Sequence, residues 1–278
     1  MAVPANNPLF KHFRQPALYL KLPSMGRFWP EDAVDIPVTG EVPIYPMTVK
    51  DEITLKTPDA LMNGAGVVDV IQSCCPNIKN AWKLPVIDLD AVLIAIRLAS
   101  YGVSMDITTT CKNCSADNEN TVDLRMVLER IRVPDFAPSK IDKLVFNFRP
   151  QAFESNNQIA LIQYEQQRLI DAVTNSSLSD EDKKSQFEAI FPKLTDLTVS
   201  TLVNNIESIV LEDGTIVNES TYIKEFLYNC ERNVYTEIKN QVDALINQLK
   251  IEPVEITCPE CSTTYQADLT FNQANFFG

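Results

Sequence analysis

The chain has 278 residues, of which 45% are hydrophobic and 22% are charged, a composition typical of a folded globular protein. Its net charge of -13 disfavours binding to nucleic acid or to an anionic membrane, because contacts to phosphate need a basic surface. The start of the chain carries three prolines and no signal-like apolar run, and the longest apolar stretch, residues 91–99, contains Arg97 and is too short to span a bilayer, so we expect a soluble cytoplasmic protein.

The N-terminal part begins with extended segments. Residues 1–17 are predicted to form an extended arm, which contains Phe10 and Phe13 and is suited to lying along a neighbouring subunit. Residues 18–22 and 38–45 are predicted strands, and prolines in the second restrict it to irregular or edge pairing.

Three helices are expected next, each with a recognisable start. Thr48 and Asp51 have the spacing of a capping box, in which each side chain bonds to the backbone of the other residue. Thr57 precedes a proline and an aspartate, which is a typical helix beginning. Asp88 is the expected cap of a helix that is apolar almost all round, and such a helix should be buried. The predicted helices cover residues 49–56, 57–73 and 89–101.

The middle of the chain, residues 132–250, is predicted to be mostly helical. Ser179 and Asp182 cap one helix there, and Pro192 is expected to kink or split it. A longer helix before it has an apolar face formed by Ile159, Ile162, Leu169 and Val173. The remaining predicted elements are a hairpin at Asp213-Gly214 and helices near residues 219–230 and 232–249.

Two Cys-x-x-Cys motifs lie in matching strand–turn–strand surroundings. The first holds Cys111 and Cys114, and the second holds Cys258 and Cys261. Two thiols separated by two residues in a tight turn can face one point, and Zn²⁺ takes four such ligands in a tetrahedron. The sequence therefore predicts one structural Zn²⁺ bound by all four cysteines.

The long separation of the two motifs suggests a zinc ribbon with an insertion. Cys258 follows Cys114 by 144 positions, and the chain between them looks folded rather than slack. We predict an α+β fold, predominantly helical, whose zinc ribbon is formed by two distant knuckles. The expected divisions are an N-terminal arm (1–17), an α+β part with the first knuckle (18–131), a helical insertion with a hairpin (132–250) and a second knuckle that closes on the first (251–278).

The sequence gives less support to redox or catalytic chemistry than to a structural metal site. A redox dithiol normally lies at a helix N-terminus, whereas both pairs here lie between strands, so free or redox-active thiols remain the lesser alternative. Four thiolates leave no open position for catalytic water. His12 has no evident catalytic partner, and neither a phosphate-binding loop nor a nucleophile elbow occurs, so we expect no enzyme and no small-molecule substrate. The other cysteines are expected to be buried apolar residues: Cys74, Cys75 and Cys230.

Several short motifs, taken in order, resemble the baseplate hub subunits of T-even-type bacteriophages with contractile tails. They begin with Leu-Pro-Ser-Met-Gly at residues 22–26 and end with the second knuckle and Asn-Phe-Phe at residues 275–277. The similarity covers residues 18–130 and 250–278 well and the helical middle loosely. Between these ends lie Pro-Met-Thr at 46–48, Lys-Thr-Pro-Asp-Ala-Leu-Met-Asn-Gly at 56–64, Asp-Leu-Asp at 88–90 and Arg-Leu-Ala-Ser-Tyr-Gly at 97–102.

The resemblance implies a structural virion protein of the tail baseplate hub, assembled in the host cytoplasm with other baseplate and tail proteins as its partners. It equally implies a second possibility, a baseplate assembly chaperone that is absent from the mature particle. Two alternatives stand outside the family: a cellular zinc-ribbon module that binds nucleic acid, which the charge of -13 disfavours, and a dithiol oxidoreductase.

Overall fold

The protein has a mixed helix-and-strand fold in a computed structural model that describes residues 8–57, 64–176 and 179–267. In this described part of the chain four small antiparallel sheets accompany the helices, so the expectation of a predominantly helical chain was too strong. Within these residues the helices are α1 (Val49–Leu55), α2 (Ala65–Cys74), α3 (Val86–Tyr101), α4 (Leu124–Arg130), α5 (Phe153–Thr174), α6 (Asp180–Asn205), α7 (Ser220–Asn229) and α8 (Arg232–Leu249), with 3-10 turns at Phe10–His12 and Ala81–Lys83.

The described strands form three two-stranded sheets and one four-stranded meander. β1 pairs with β2, β3 with β4 and β9 with β10, whereas β5, β6, β7 and β8 form one sheet in that order. Their bounds are β1 (Leu18–Lys21), β2 (Glu41–Ile44), β3 (Ser104–Thr110), β4 (Asp117–Asp123), β5 (Ser139–Ile141), β6 (Leu144–Phe148), β7 (Ile206–Val210), β8 (Ile216–Val217), β9 (Val254–Thr257) and β10 (Thr264–Ala267).

The first hydrophobic cluster is built around α3. Most of this helix is buried, as its apolar sequence predicts, and side chains of α2 and of the β1–β2 pair pack with it. Gly102 ends α3 with a φ of 87°, a conformation that favours glycine.

A second hydrophobic cluster has its buried residues in the middle of the chain, and Phe28 from the N-terminal part packs against it. The four-stranded meander contributes Phe146 and Phe148, and α6, α7 and α8 cover it with side chains such as Val242. The α5–α6 pair is inserted between β6 and β7. The predicted turn at Asp213-Gly214 joins β7 to β8, and Gly214 has a φ of 84°. The division of the chain into domains stays a prediction.

The predicted capping box of α1 is present. The backbone N–H of Asp51 donates to Thr48 Oγ1 at 3.3 Å, and the backbone N–H of Thr48 donates to Asp51 Oδ2 at 2.7 Å. Ser179 likewise caps α6, since its hydroxyl accepts from the backbone N–H of Asp182 at 3.2 Å. Local sequence signals are reliable here because both partners lie within one helical turn.

The described part of the N-terminal arm is held on the chain's own body. Arg14 donates to the backbone oxygen of Pro46 at 2.6 Å, to that of Ser73 at 2.8 Å and to Asp51 at 3.3 Å. Residues 8–13 include a 3-10 turn rather than a fully extended run. The expectation of an arm that lies along a neighbour is therefore wrong near Arg14, because one guanidinium fork joins the arm to α1 and α2.

Asp88 does not cap its helix. α3 begins three residues earlier than predicted from that cap, and the carboxylate of Asp88 accepts bonds from the backbone N–H of Ser24 at 2.7 Å, from its hydroxyl at 2.5 Å and from Trp29 Nε1 at 2.8 Å. Asp88 and Ser24 are both buried. Burial raises the pKa of Asp88, although these donors act in the opposite direction. A buried carboxylate thus fixes the loop that follows β1.

The α5–α6 pair differs from the sequence prediction in two ways. Ile162 and Leu169 are 41% and 46% exposed, so the predicted apolar face of α5 is only partly covered. Pro192 lies inside α6, which continues through it instead of splitting. No helix in the described parts of the chain combines the length and apolar character needed to cross a membrane.

Two predictions fall largely outside the described residues. The helix start at Thr57 leads into residues 58–63, and the aromatic tail at residues 276–277 follows the last described residue, Ala267.

We expect Asp88→Asn to lower the free energy of unfolding by about 1–3 kcal/mol, because the new amide group would face one of the three buried donors. Chemical denaturation at pH 7 measures this change. Asp90→Asn is a matched control on the same helix, where burial alone raises the pKa to about 6, so removal of that charge should leave stability unchanged or increase it. Equal destabilisation by both substitutions would contradict the role given to Asp88.

Candidate metal centre

The first Cys-x-x-Cys motif forms the turn of the β3–β4 hairpin. The backbone N–H of Cys111 donates to Ala116 O, and that of Ser115 donates to Cys111 O, both at 2.9 Å. Ser115 has a φ of 59°, in the left-handed region that residues other than glycine seldom adopt. The chain reverses within this turn, so the sulfurs of Cys111 and Cys114 can face the same side.

The second motif repeats this geometry in the β9–β10 hairpin. The backbone N–H of Cys258 donates to Thr263 O at 3.0 Å, and that of Ser262 donates to Cys258 O at 2.9 Å. Ser262 has a φ of 56°, which matches the corresponding serine of the first turn. Both motifs therefore read Cys-x-x-Cys-Ser, and the shared serine is a signal that the sequence analysis did not use.

The structure brings the four predicted ligands together. All four sulfur atoms lie within 4.8 Å of one another, and the Cys111–Cys261 and Cys114–Cys258 sulfur pairs are each 3.7 Å apart. A tetrahedral ion with Zn–S bonds of about 2.3 Å requires sulfur–sulfur edges of roughly 3.8 Å. The spacing fits such an ion, so the four cysteines could hold a metal.

Polar side chains join the two hairpins beside the sulfurs. Tyr265 on β10 bonds through its hydroxyl to Thr109 on β3 at 2.7 Å and accepts from Asn118 Nδ2 on β4 at 2.9 Å. At the turns, Asn113 Nδ2 donates to Thr263 Oγ1 at 3.2 Å. Sequence analysis missed these contacts, since nothing in the local pattern distinguishes these residues from ordinary polar strand residues.

Hydrogen bonds around the cysteine sulfurs change the pKa values of these thiols, and metal binding requires the thiolate form. Bonds from the hydroxyl and backbone N–H of Thr263 and from the amide of Asn113 lower the pKa of Cys261 to about 6. Burial opposes ionisation of Cys258, but backbone N–H donors of Cys261 and Glu260 leave its pKa lowered. A backbone N–H from Ala116 favours the Cys114 thiolate, yet the neighbouring sulfurs raise the pKa of Cys114 to about 12.

The electrostatics mean that a divalent cation would complete the site. Cys261 tends towards the thiolate form, and its contact with Cys114 helps to keep the proton on that sulfur. A bound cation reverses that balance, because it stabilises all four thiolates at once. With four sulfur ligands the coordination is closed, and no position is left for water or substrate.

The remaining predicted residues lie away from this cluster. Cys74 and Cys75 are buried at the end of α2, where burial raises their pKa values to about 12 and 11, so they are poor nucleophiles. Burial also raises the pKa of Cys230. His12 is exposed in the first 3-10 turn.

Comparison with known protein families identifies a match over most of the chain. The model of a family described as "T4 bacteriophage base plate protein" matches residues 29–278, a range that contains both Cys-x-x-Cys motifs and all the helices described above. No curated protein and no solved structure matches the chain.

We expect the affinity for Zn²⁺ to fall as pH falls, with a steeper dependence below about pH 6. Throughout this range the ion must displace the proton of Cys114, and below about pH 6 it must displace the proton of Cys261 as well. Competition with a chromophoric chelator from pH 5 to pH 8, corrected for protonation of the chelator, measures this dependence. An affinity that is independent of pH would contradict binding by these thiols.

Proposed function

Because the chain belongs to the family described as T4 bacteriophage base plate protein, we propose that it is a non-catalytic structural component of the baseplate hub of a contractile tail, held closed by a structural Zn²⁺. Membership of this family places it in the tail baseplate, among other phage tail proteins. The proposal adds the hub position, the zinc ion, the absence of catalysis and assembly in the host cytoplasm.

The observation that carries the proposal is the extent of the family match. It covers residues 29–278, so it includes the two knuckles and the helical part between them rather than one common motif. A general zinc-ribbon module would share only the short segments around the cysteines, so the match supports a baseplate role over a cellular nucleic-acid-binding role. The net charge of -13 supports the same choice.

The assignment of Zn²⁺ rests on the ligands and their spacing. Four thiolates in a tetrahedron suit zinc, which is commonly found with this ligand set in proteins. The closed coordination supports a structural role, and the buried, weakly acidic thiols of Cys74 and Cys75 supply no alternative nucleophile.

The ion would act as a staple, that is, a cross-link between two segments that are far apart in the sequence. It would join residues 144 positions apart, and closing a loop of that length removes conformational entropy worth on the order of 5 kcal/mol from the unfolded state, if a metal link acts as a covalent one does. It would also hold β9 and β10 on the β3–β4 hairpin. Metal-binding energy would then appear as folding stability.

The helical middle is proposed as the region that contacts a specific baseplate partner. Ile162, Tyr164 and Leu169 of α5 are substantially exposed, so this helix presents apolar surface outside both hydrophobic clusters. We propose protein partners only, with no nucleic acid, membrane or small-molecule substrate.

We expect Cys111→Ser and Cys258→Ser each to abolish stoichiometric zinc binding and to lower the free energy of unfolding by several kcal/mol, because each removes one of four ligands. Elemental analysis and chemical denaturation measure the two effects. Cys230→Ser is the matched control, since this cysteine lies outside the cluster and should retain full zinc content. A stable, zinc-free Cys258→Ser protein that still assembles would refute the staple.

We expect mass spectrometry of purified mature particles to detect this chain at a low, fixed copy number relative to other tail proteins. Absence from particles, together with tail defects when the gene is removed, would instead favour the alternative of an assembly chaperone. Nuclease treatment before purification controls for protein carried along by DNA.

A further inference from the structure

A continuous chain of hydrogen bonds runs from the β3–β4 hairpin to the sulfur of Cys258. Asn120 Nδ2 donates to Thr109 Oγ1 at 3.2 Å, and Thr109 bonds to the Tyr265 hydroxyl at 2.7 Å. Asn118 follows, with Nδ2 donating to Tyr265 at 2.9 Å and Oδ1 accepting from Cys258 Sγ at 3.7 Å. The chain crosses from one hairpin to the other and ends on a candidate ligand.

Asn118 is the critical member of this chain. Its side chain is only 3% exposed, so it can exchange few bonds with water, and both ends of its amide are engaged within the cluster. The nitrogen and oxygen of an amide occupy nearly the same positions when the group is turned over. Asn118 can therefore present either an acceptor or a donor to Cys258 without moving its neighbours.

A sulfur bound to a metal has no hydrogen to donate, so the bond from Cys258 to Asn118 Oδ1 cannot persist with an ion in place. Turned over, the amide donates from Nδ2 to Cys258 and accepts at Oδ1 from the Tyr265 hydroxyl. Tyr265 in turn accepts from Thr109, which still accepts from Asn120. Every bond in the chain then points its hydrogen towards the metal-bound sulfur.

We propose that Asn118, supported by Tyr265 and Thr109, is a positioning residue for the metal centre, whose amide turns over on metal binding and donates a hydrogen bond to Cys258. This inference rests on the proposed four-cysteine metal site and adds how that site is oriented. Hydrogen bonds from outer residues fix ligand orientation and offset the charge gathered on the sulfurs.

The same chain of hydrogen bonds also holds the β9–β10 hairpin against the β3–β4 hairpin. Tyr265 is on β10, whereas Thr109 and Asn118 are on β3 and β4, so the chain sets the angle between the two knuckles as well as the donor on Cys258. Asn113 serves the opposite side of the site, where its backbone N–H donates to Cys111 Sγ at 3.4 Å. Both buried sulfurs, those of Cys111 and Cys258, would then accept a bond from the first hairpin.

The test compares Asn118→Asp and Tyr265→Phe with the unaltered protein, using Zn²⁺ and Co²⁺ as probes. Asn118→Asp places an acceptor-only carboxylate against the sulfur, and Tyr265→Phe removes only the hydroxyl that holds the amide. We expect Zn²⁺ affinity, measured by chelator competition, to fall roughly 10- to 100-fold, with the larger loss in Asn118→Asp. The sulfur-to-cobalt charge-transfer band should move to longer wavelength in both variants, because Asn118→Asp removes the donor to the sulfur and Tyr265→Phe leaves that donor without the hydroxyl that orients it.

Matched controls separate positioning from general destabilisation. Asn240→Asp introduces the same change at an exposed site on α8, and Tyr19→Phe removes a hydroxyl from an exposed strand residue, so both should bind and absorb as the unaltered protein does. If Asn118→Asp does not fold, Tyr265→Phe decides the question alone, since it deletes a single oxygen atom.

The outcomes are distinct for the two proposals. Unaltered affinity and an unaltered cobalt band in Tyr265→Phe would overturn the positioning role while leaving the metal site intact. Weaker binding with an unshifted band would also overturn it, because that result indicates lost packing rather than a lost donor to sulfur. Failure of the unaltered protein to bind either ion would refute the proposed zinc site and this inference with it.

Discussion

The docking of the β9–β10 hairpin on the β3–β4 hairpin is the constraint on which the rest of the structure depends. It joins the two ends of a chain segment that contains all the buried residues of the second hydrophobic cluster, and Cys114 and Cys258 are 144 positions apart. A loop of this length has a large closure entropy in the unfolded state, so any link across it acts on the stability of everything inside. The first cluster lies mostly before the loop, yet Ile251, just ahead of β9, also packs against it.

Neither hairpin contains enough apolar surface to hold this position by itself. Residues of β3 alternate between exposed and half-buried, and the buried residue of β4 is Asn118, a polar one. The other hairpin buries only Ile256 and Ala267 along its two strands. Isolated two-stranded hairpins are marginal in water, and hydrophobic burial on this scale adds little. The interface therefore relies on polar contacts and on four sulfur atoms whose spacing suits a tetrahedral ion.

Sequence analysis succeeded where the interacting groups are close along the chain. The Thr48–Asp51 box, the Ser179 cap and the Asp213-Gly214 turn each involve residues within one turn, and the Cys-x-x-Cys pairs are equally local. It failed where a side chain can bond equally well to a residue far away along the chain. Asp88 was predicted to cap its own helix, but it accepts hydrogen bonds from Ser24. Arg14 was predicted to lie in an extended arm, but it bonds to residues of α1 and α2. The pairing of the two distant knuckles was predictable, because a tetrahedral site needs four ligands. The contacts of Tyr265 were not predictable, because tyrosine and asparagine have many possible hydrogen-bond partners in any fold.

These features give a physical reason why the proposed metal coordination would suit this point of the molecule. The interface between the hairpins is polar and can therefore lie near the surface, where Cys114 is exposed to water. It does so without creating an exposed apolar patch, which could bind other proteins unspecifically. Four thiolates around one ion would concentrate the stabilising interactions in a few atoms. The direction of each sulfur–metal bond would also fix the angle between the two hairpins, which hydrophobic contact restricts less. Exposed apolar side chains occur on α5, among them Ile162 and Leu169, and these residues are not part of the cysteine cluster. In a protein of the baseplate, that separation lets one region set the shape of the subunit while another remains available to a neighbour.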